Sequence, residues 1–274
     1  MSPASPPGPP GPGSAPPSPR DWLRFHADPA PLAGEALMRR DRDRLLALEA
    51  DPALGPSLYL YRWREPTLTL GYSQPAEGVL DLEAARRAGV PVVRRPTGGR
   101  AILHADEWTY AAVVPLDDPA LGGGLSQSVS RLVDVVARAL AELGVDAAPV
   151  GRAAARRAER AGLGAEPACF ALAVGYELSV AGRKLVGSAQ RRLTRALLQQ
   201  GTILVGPGHE RLADLLAAGE AERDRARARL AASTVTVREL IGERARFEDF
   251  ARALERAWGG TAAPAPRRIP RPSA

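Results

Sequence analysis

The sequence predicts one domain of the α/β (α+β) class. Short runs that alternate apolar and polar residues, as strands do, are interspersed with segments in which apolar residues recur at helical spacing. The chain has 274 residues, enough to bury a substantial core, and no internal repeat or linker separates two cores. We expect the domain to span residues 21–259, between a disordered Pro/Gly-rich tail at 1–20 and a disordered basic tail at 260–274.

Residue spacing in the first half of the chain predicts three helices and several strands. Within 34–50, helical spacing relates the residues Leu37, Met38, Asp41, Leu45, Leu46 and Leu48, which predicts an amphipathic first helix. Segments 57–63 and 67–72 alternate like strands, and their short connection, 64–66, favours a hairpin between them. The other predicted elements are a helix at 81–88 ended by Gly89, strands at 90–95, 101–104 and 108–115, and a helix at 126–143 closed by Gly144.

The second half begins with an Ala/Arg/Gly-rich stretch, 151–164, which has no apolar face and is predicted to be a solvated segment leading to Cys169. A hairpin is predicted next, with strands at 176–180 and 184–189 on either side of the tight turn Ala181-Gly182. The remaining predicted elements are helices around 210–230 and 246–258, joined by 233–240.

The composition argues against several classes of protein. The net charge is +6, but the arginines are spread along the chain without a basic block interleaved with aromatics, so nucleic-acid binding is not predicted. One cysteine cannot form an internal disulfide, and three scattered histidines do not suggest a metal site. No apolar run is long enough to span a membrane and no signal-like segment is present, so a cytoplasmic protein without membrane contact is predicted.

Lys184 and Cys169 are each the single residue of their type. The 37 Lys plus Arg residues comprise one lysine and 36 arginines. Arginine cannot release its proton at any working pH, whereas a desolvated lysine can, so a lone lysine in this background indicates an acid-base or geometric requirement. The alternatives are a compositional accident for Lys184 and a small buried apolar role for Cys169.

Two segments of small residues are candidates for backbone contact with a ligand. Gly187, Ser188 and Ala189 follow Lys184 and leave room for a ligand to approach the main chain. Gly98 and Gly99 form a turn whose unencumbered N–H groups suit an anion or a carbonyl oxygen. Both patterns also occur where a sheet bulges, packs tightly or simply turns.

Three blocks of sequence carry a family resemblance: LYLYRWREPTLTLGYSQ, RRPTGGRAILHADEWTY, and GYELSVAGRKLVGSAQRR with the following LLQQGTILV. In order and spacing they resemble the signatures of the biotin/lipoate A/B protein ligase catalytic domain, from about Arg20 to Trp258. The resemblance implies a central mixed β-sheet flanked by helices. It also implies an enzyme that handles lipoyl, octanoyl or biotinyl groups destined for a lysine of a carrier domain.

Within that family, the Thr-Gly-Gly-Arg turn at 97–100 and the Ala-Cys-Phe block around Cys169 resemble the cysteine-dependent octanoyltransferase branch. That branch implies transfer of octanoate from octanoyl-acyl carrier protein to a lipoyl domain, either the glycine cleavage H protein or a dehydrogenase E2. No cofactor is implied, and a monomer is predicted. Two departures are Ala105, where an Asp usually follows the motif's His, and Gln200, where a His usually precedes the glycine.

The resemblance implies that Cys169 is the nucleophile and that Lys184 lowers the thiol pKa or carries protons. The predicted substrate-binding residues are Arg95, Thr97, Gly98, Gly99, His104, Gly187, Ser188, Ala189 and Thr202. An apolar slot for the acyl chain is expected from Leu68, Leu70, Ile102, Val113 and Val186. Two alternatives stay open, an ATP-dependent lipoate-protein ligase and a non-catalytic acyl-binding homologue.

Overall fold

The computed structural model describes residues 24–150 and 177–261. The predicted N-terminal tail, the 151–164 stretch, Cys169 and nearly all of the predicted C-terminal tail lie outside these residues. The strands are β1 (Arg24–Ala27), β2 (Ser57–Tyr61), β3 (Thr67–Leu70), β4 (Val92–Arg94), β5 (Ile102–His104), β6 (Glu107–Pro115), β7 (Ala148–Pro149), β8 (Leu178–Val180), β9 (Arg183–Arg192) and β10 (Ala196–Leu204). The α-helices are α1 (Gly34–Ala50), α2 (Leu82–Arg87), α3 (Leu125–Glu142), α4 (Glu220–Ser233), α5 (Val237–Ile241) and α6 (Phe247–Gly259).

The strands form two sheets. The larger has the order β1-β2-β6-β10-β9-β8-β7, in which β1 runs parallel to β2 and the other neighbours are antiparallel. The smaller has the order β4-β3-β5, with β3 parallel to β4 and antiparallel to β5. The predicted α/β fold with a central mixed sheet flanked by helices is therefore confirmed.

The side chains of β6 and β10 decide what covers the large sheet. On one face, Trp108, Tyr110, Leu197 and Ile203 join the core formed with α3 and α6. On the other face, Val113 and the neighbouring apolar residues Ala111, Ala196 and Leu198 pack beneath α1. Further along this second face the period-two alternation continues with polar residues: Glu107 and Thr109 on β6, and Gln200 and Thr202 on β10. The second face is thus apolar under α1 and polar beside the small sheet.

Most predicted elements are found, and the first helix, α1, has the predicted bounds. Its residue Leu46, however, is exposed, contrary to its predicted place on the buried stripe. The predicted turn Ala181-Gly182 joins β8 to β9, with φ of 50° and 78° at these two residues. Gly182 relieves the strain of such a conformation because it has no Cβ.

The predicted hairpin between 57–63 and 67–72 is wrong, because β2 and β3 belong to different sheets. Both edges of β2 are already occupied, by β1 and β6. After β2, the N–H of Arg64 donates to the carbonyl of Leu32 at 2.9 Å, and Pro66 has no N–H to offer a neighbouring strand. Alternation predicts that a segment is a strand but not which strand it pairs with.

The predicted helix around 210–230 is also wrong as a single element. A 3-10 helix, Pro207–Leu215, is separated from α4 by a break that ends at Gly219. The connection predicted at 233–240 contains the short helix α5, capped by Thr236, whose hydroxyl accepts from the N–H of Glu239 at 3.2 Å. Gly219 interrupts the helical pattern that apolar spacing alone suggests.

No helix among the described residues is long and apolar enough to cross a membrane.

Gly201 sets how closely β10 approaches the core. A Cβ on this residue would lie 2.1 Å from a ring carbon of Tyr110, which is itself fully buried. Gly201→Ala should therefore lower the free energy of unfolding by about 1–3 kcal/mol, the usual cost of overpacking. Gly259→Ala, where a Cβ meets nothing within 4 Å, is the matched control. Urea denaturation of both variants measures the difference; equal stability would contradict the close approach.

Candidate active site

A cavity of about 210 Å³ lies between the polar face of the large sheet and the small sheet. The pairing of β9 with β10 places Gly187 opposite Thr202, Ser188 opposite Gly201 and Ala189 opposite Gln200, so the small residues form one wall. The predicted site residues that line the cavity are Arg95, Thr97, Gly99, His104, Lys184, Gly187, Ser188, Ala189 and Thr202. Gly98 does not line it, and Cys169 is outside the described residues.

The apolar lining differs from the predicted slot. Ile102 lines the cavity, as expected, together with Met38, Tyr61 and Trp63, which sequence reasoning did not assign to it. The other four predicted slot residues are wrong, because they lie in the hydrophobic core: Leu68, Leu70, Val113 and Val186. Apolar residues of a strand are distributed between its two faces. The register of the strand decides which of those faces is directed toward the cavity.

Lys184 is the second residue of β9, and its Nζ donates to Oε1 of Glu177, which directly precedes β8. Both residues line the cavity, and both side chains are only about 5% exposed (6% and 5%). Burying an isolated ammonium or carboxylate is costly, so each charge of the pair stabilises the other. Burial, and in smaller part the charge of Lys184, also lowers the pKa of the nearby buried His209.

Arg95 braces the Gly98-Gly99 turn. Its Nε and Nη2 donate to the carbonyl of Gly98 at 3.1 and 2.7 Å, and Nη2 also donates to the carbonyl of Arg100 at 2.7 Å. Its Nη1 donates to the carbonyl and hydroxyl oxygens of Thr69 at 3.2 and 3.0 Å. These five hydrogen bonds match the five N–H groups of a guanidinium, so Arg95 fixes the backbone conformation of the turn.

His104 is the centre of a second hydrogen-bonded group. Its Nε2 lies 2.8 Å from the hydroxyl of Thr69 and its Nδ1 lies 2.8 Å from Oε1 of Glu107. Because the Glu107 carboxylate accepts, Nδ1 carries the hydrogen of that bond, whereas the Thr69 hydroxyl can pair with Nε2 in either role. The ring also stacks on Trp63, at 4.0 Å between centroids. His104 is thus held in one orientation by contacts at both ring nitrogens, and its side chain forms part of the cavity lining.

Glu107 joins β6 and β10 to that group. The same Oε1 accepts from the hydroxyls of Thr109 at 2.5 Å and Thr202 at 3.2 Å. Thr109 in turn accepts from the indole N–H of Trp63 at 2.8 Å. Thr109 and Thr202 of the large sheet are therefore linked through Oε1 of Glu107 to His104 of the small sheet, whereas Oε2 of Glu107 has no hydrogen-bond partner in the described part of the chain.

Asp41 of α1 anchors the opposite side of the turn. Its Oδ2 accepts from the hydroxyl of Tyr61 and from Nε2 of Gln200, both at 2.8 Å. The hydroxyl of Thr97 donates to Oε1 of Gln200 at 2.7 Å. Burial raises the pKa of the Asp41 carboxyl, and Arg44 with the two donated hydrogen bonds offsets part of that effect. A continuous chain of bonds thus links α1, β10 and the turn.

Sequence reasoning missed Glu177, Glu107 and Asp41 as members of the site. Asp41 was included in the buried stripe of α1, and a carboxylate on an apolar stripe is itself a signal that it has a buried partner. Glu177 stands seven residues before Lys184, across the predicted hairpin, which places the two on adjoining strands. Within the described residues, no group of three or more His, Cys, Asp or Glu side chains is arranged to hold a metal ion.

Comparison with known proteins adds an independent observation. The profile of the lipoyl protein ligase A/B catalytic domain matches residues 40–259. The chain belongs to this family. The predicted family is therefore confirmed, and all residues that line the cavity except Met38 lie in the three sequence blocks that carried the resemblance.

Individual relatives of this lipoyl protein ligase A/B domain are consistent with the family match. Over 208 residues the chain is 40% identical to the octanoyltransferase LipM of Moorella thermoacetica, covering 74% of this chain and 75% of that protein. It is 30% identical over 214 residues to the octanoyltransferase LipM of Bacillus subtilis, covering 78% and 77%. A bipartite lipoate protein ligase of Thermoplasma acidophilum superposes with a TM-score of 0.66 at 22% identity, covering 87% of this chain and 82% of that one, which shows a shared fold.

The buried ion pair of Lys184 and Glu177 should contribute to the free energy of unfolding. Lys184→Met and Glu177→Gln each remove one member of the buried ion pair, and removing one partner of such a pair typically costs about 3–5 kcal/mol. The double variant removes both charges and should recover most of the loss. Chemical denaturation of the wild type, both single variants and the double variant measures the coupling; additive losses in the double variant would show that the two charges do not depend on each other.

Asp41→Asn should change how stability depends on pH. Because burial raises the pKa of Asp41 above its ordinary value of 3.8, the folded state binds the proton more tightly than the unfolded state. The resulting stability is fully present below pH 3.8 and is lost as pH rises through the raised pKa. Relative to Asp41→Asn, the wild type should lose unfolding free energy across that window. Urea denaturation at several pH values tests this, with Asp43→Asn, an exposed position of α1, as the matched control; parallel curves would contradict it.

Proposed function

We propose that this chain transfers an octanoyl group from octanoyl-acyl carrier protein, through a thioester on Cys169, to a lysine of a lipoyl domain. The main support from the structure is the buried ammonium of Lys184 at a cavity that has Gly187, Ser188 and Ala189 as one wall. The relatives named octanoyltransferase LipM, 30–40% identical over most of the chain, support octanoyl transfer in lipoate biosynthesis. The enzyme acts as a monomer and needs no cofactor.

The cavity suits a slender acyl chain. Its volume of about 210 Å³ is below the roughly 300–1,000 Å³ usual for sites that enclose drug-sized ligands. Met38, Trp63 and Ile102 supply apolar contact, and each methylene removed from water contributes about 0.8 kcal/mol. The six methylenes of octanoate would thus contribute about 5 kcal/mol before the entropy of ordering the chain is subtracted.

The reaction has two acyl transfers. The thiolate of Cys169 attacks the thioester carbonyl, the carrier's sulfur leaves and takes up a proton, and an acyl-enzyme of nearly equal energy remains. The amine of the acceptor lysine then attacks, loses a proton and displaces the Cys169 sulfur, giving the more stable amide. Lys184 stabilises the thiolate by its charge, and backbone N–H groups of the small-residue wall or of Gly99 face the developing oxyanion.

Glu177 has the supporting role in this scheme. By accepting from Nζ it fixes the direction of the Lys184 ammonium, so that the charge is placed before substrate arrives. Arg95 and His104 are positioning residues, because the contacts described above hold the turn in place and connect the two sheets beside the cavity. Thr202 contributes through Glu107, to which its hydroxyl donates.

The intact mass of the protein after incubation with octanoyl-acyl carrier protein tests the proposal. Without ATP or magnesium, the wild type should gain the mass of one octanoyl group, because the thioester is already activated. Cys169→Ser should lose transfer by a factor on the order of 100 or more, since a hydroxyl without a strong base is a poor nucleophile. Acylation that requires ATP and free acid would indicate the ligase reaction instead.

The Lys184→Met/Glu177→Gln double variant separates chemistry from stability in the same assay. If it folds like the wild type, its single-turnover rate of Cys169 acylation should still fall on the order of 100-fold. A rate within a few-fold of wild type would remove Lys184 from the mechanism. Unacylated wild type together with tight binding of octanoate would favour the non-catalytic acyl-binding alternative.

A further inference from the structure

An open groove of about 800 Å³ adjoins the cavity, with which it shares Met38 and Arg95. It runs between the outer face of α1, the strand β4 and the end of β9. On α1, the residues Arg39, Arg42 and Leu46 follow one another at helical spacing and are all exposed. The groove is therefore an open surface that borders the cavity at Met38 and Arg95.

The groove combines apolar and basic side chains. Leu46, Tyr72 and Val92 are 52%, 53% and 37% exposed, three of the six large apolar residues so exposed within 24–150 and 177–261. The guanidinium of Arg191 lies over the Tyr72 ring, 3.7 Å from its centroid. Exposed aromatic, aliphatic and arginine side chains in one depression are the composition of a protein-binding surface.

The charge of the groove is strongly one-sided. Four arginines with exposed or half-buried side chains line it, Arg39, Arg42, Arg94 and Arg191, against one acidic residue, Glu35. Arg39 makes no hydrogen bond or ion pair with any residue in the described part of the chain. Guanidinium groups bind carboxylates and phosphates bidentately, so the surface complements an acidic, phosphate-bearing partner.

We propose that this groove is where the acidic acyl carrier protein docks as donor, with the phosphodiester of its phosphopantetheine arm held by the arginines at the groove. The inference rests on the proposed function, since it names the docking surface of the same donor. An arm of this kind carries the acyl group from the carrier's surface into the cavity through the Met38 and Arg95 boundary. The acceptor's lysine carries no phosphate, so the arginines favour the donor.

A binding measurement tests the groove without requiring transfer. The probe is fluorescent acyl carrier protein that bears octanoate on its pantetheine arm through a stable amide, followed by anisotropy. Arg39→Glu should raise the Kd on the order of tenfold and flatten its dependence on salt, because a charge at the docking surface has been reversed. Arg225→Glu, an exposed arginine of α4 outside the groove, is the matched control and should stay within about twofold of wild type.

The outcomes separate this inference from the proposed function. Equal Kd values for Arg39→Glu and Arg225→Glu would overturn the docking surface, and so would a loss confined to binding of a lipoyl domain. Octanoyl-pantetheine, a donor with neither protein nor phosphate, should be used equally by wild type and Arg39→Glu. Binding that depends on Arg39 in a protein that never becomes acylated would refute the transferase alone, whereas acylation with Arg39-independent binding would refute the groove alone.

Discussion

The requirement that buried polar groups be hydrogen-bonded is the constraint on which this structure depends. Under α1 the large sheet meets its neighbours through apolar side chains and packs closely. A few residues further along the same strands, Glu107, Thr109, Gln200 and Thr202 replace them. The partners of Glu107 and Gln200 come from the small sheet, the turn and α1, while Thr109 accepts from the indole of Trp63 and Thr202 donates to Glu107. The two sheets are therefore joined by directed bonds around a space, and that space is the cavity.

The bonds also explain why the site is preorganised. The turn at Gly98-Gly99 is held from one side by Arg95 and from the other by Thr97, through Gln200 and Asp41. At Gly71, the residue that follows β3, a Cβ would lie 1.9 Å from the carbonyl oxygen of Gly99, so the backbone after β3 is in close contact with the turn. A turn fixed on three sides cannot follow a substrate, which means that its N–H groups are already directed before binding.

How much of this could be read from the sequence differs between the fold and the site. Periodicity was sufficient for α1 and α3, because long amphipathic helices carry many residues that repeat the same signal. It could not pair β2, since alternation is the same whichever strand lies alongside. The composition of the chain singles out Lys184. It does not identify Glu177, because a buried charge requires a partner but the sequence does not show which residue that partner is. The four incorrect slot residues lie in the hydrophobic core and not at the cavity. Which face of a strand a residue lies on depends on the register of its strand and not on its hydrophobicity.

The basic residues of this chain differ in how accessible they are to solvent. Arg95 is wholly occupied inside the protein, Arg39 faces solvent, and Lys184 is enclosed with its carboxylate. Since no other lysine exists in the sequence, the surface offers no lysine amine at all. A protein that brings thioesters and lysines together is exposed to modification of its own side chains, and arginine does not form amides under these conditions. Under the proposed function, the arginine-rich surface makes this chain a poor acceptor of the acyl group that it transfers, so the acceptor's lysine meets no competing lysine on that surface.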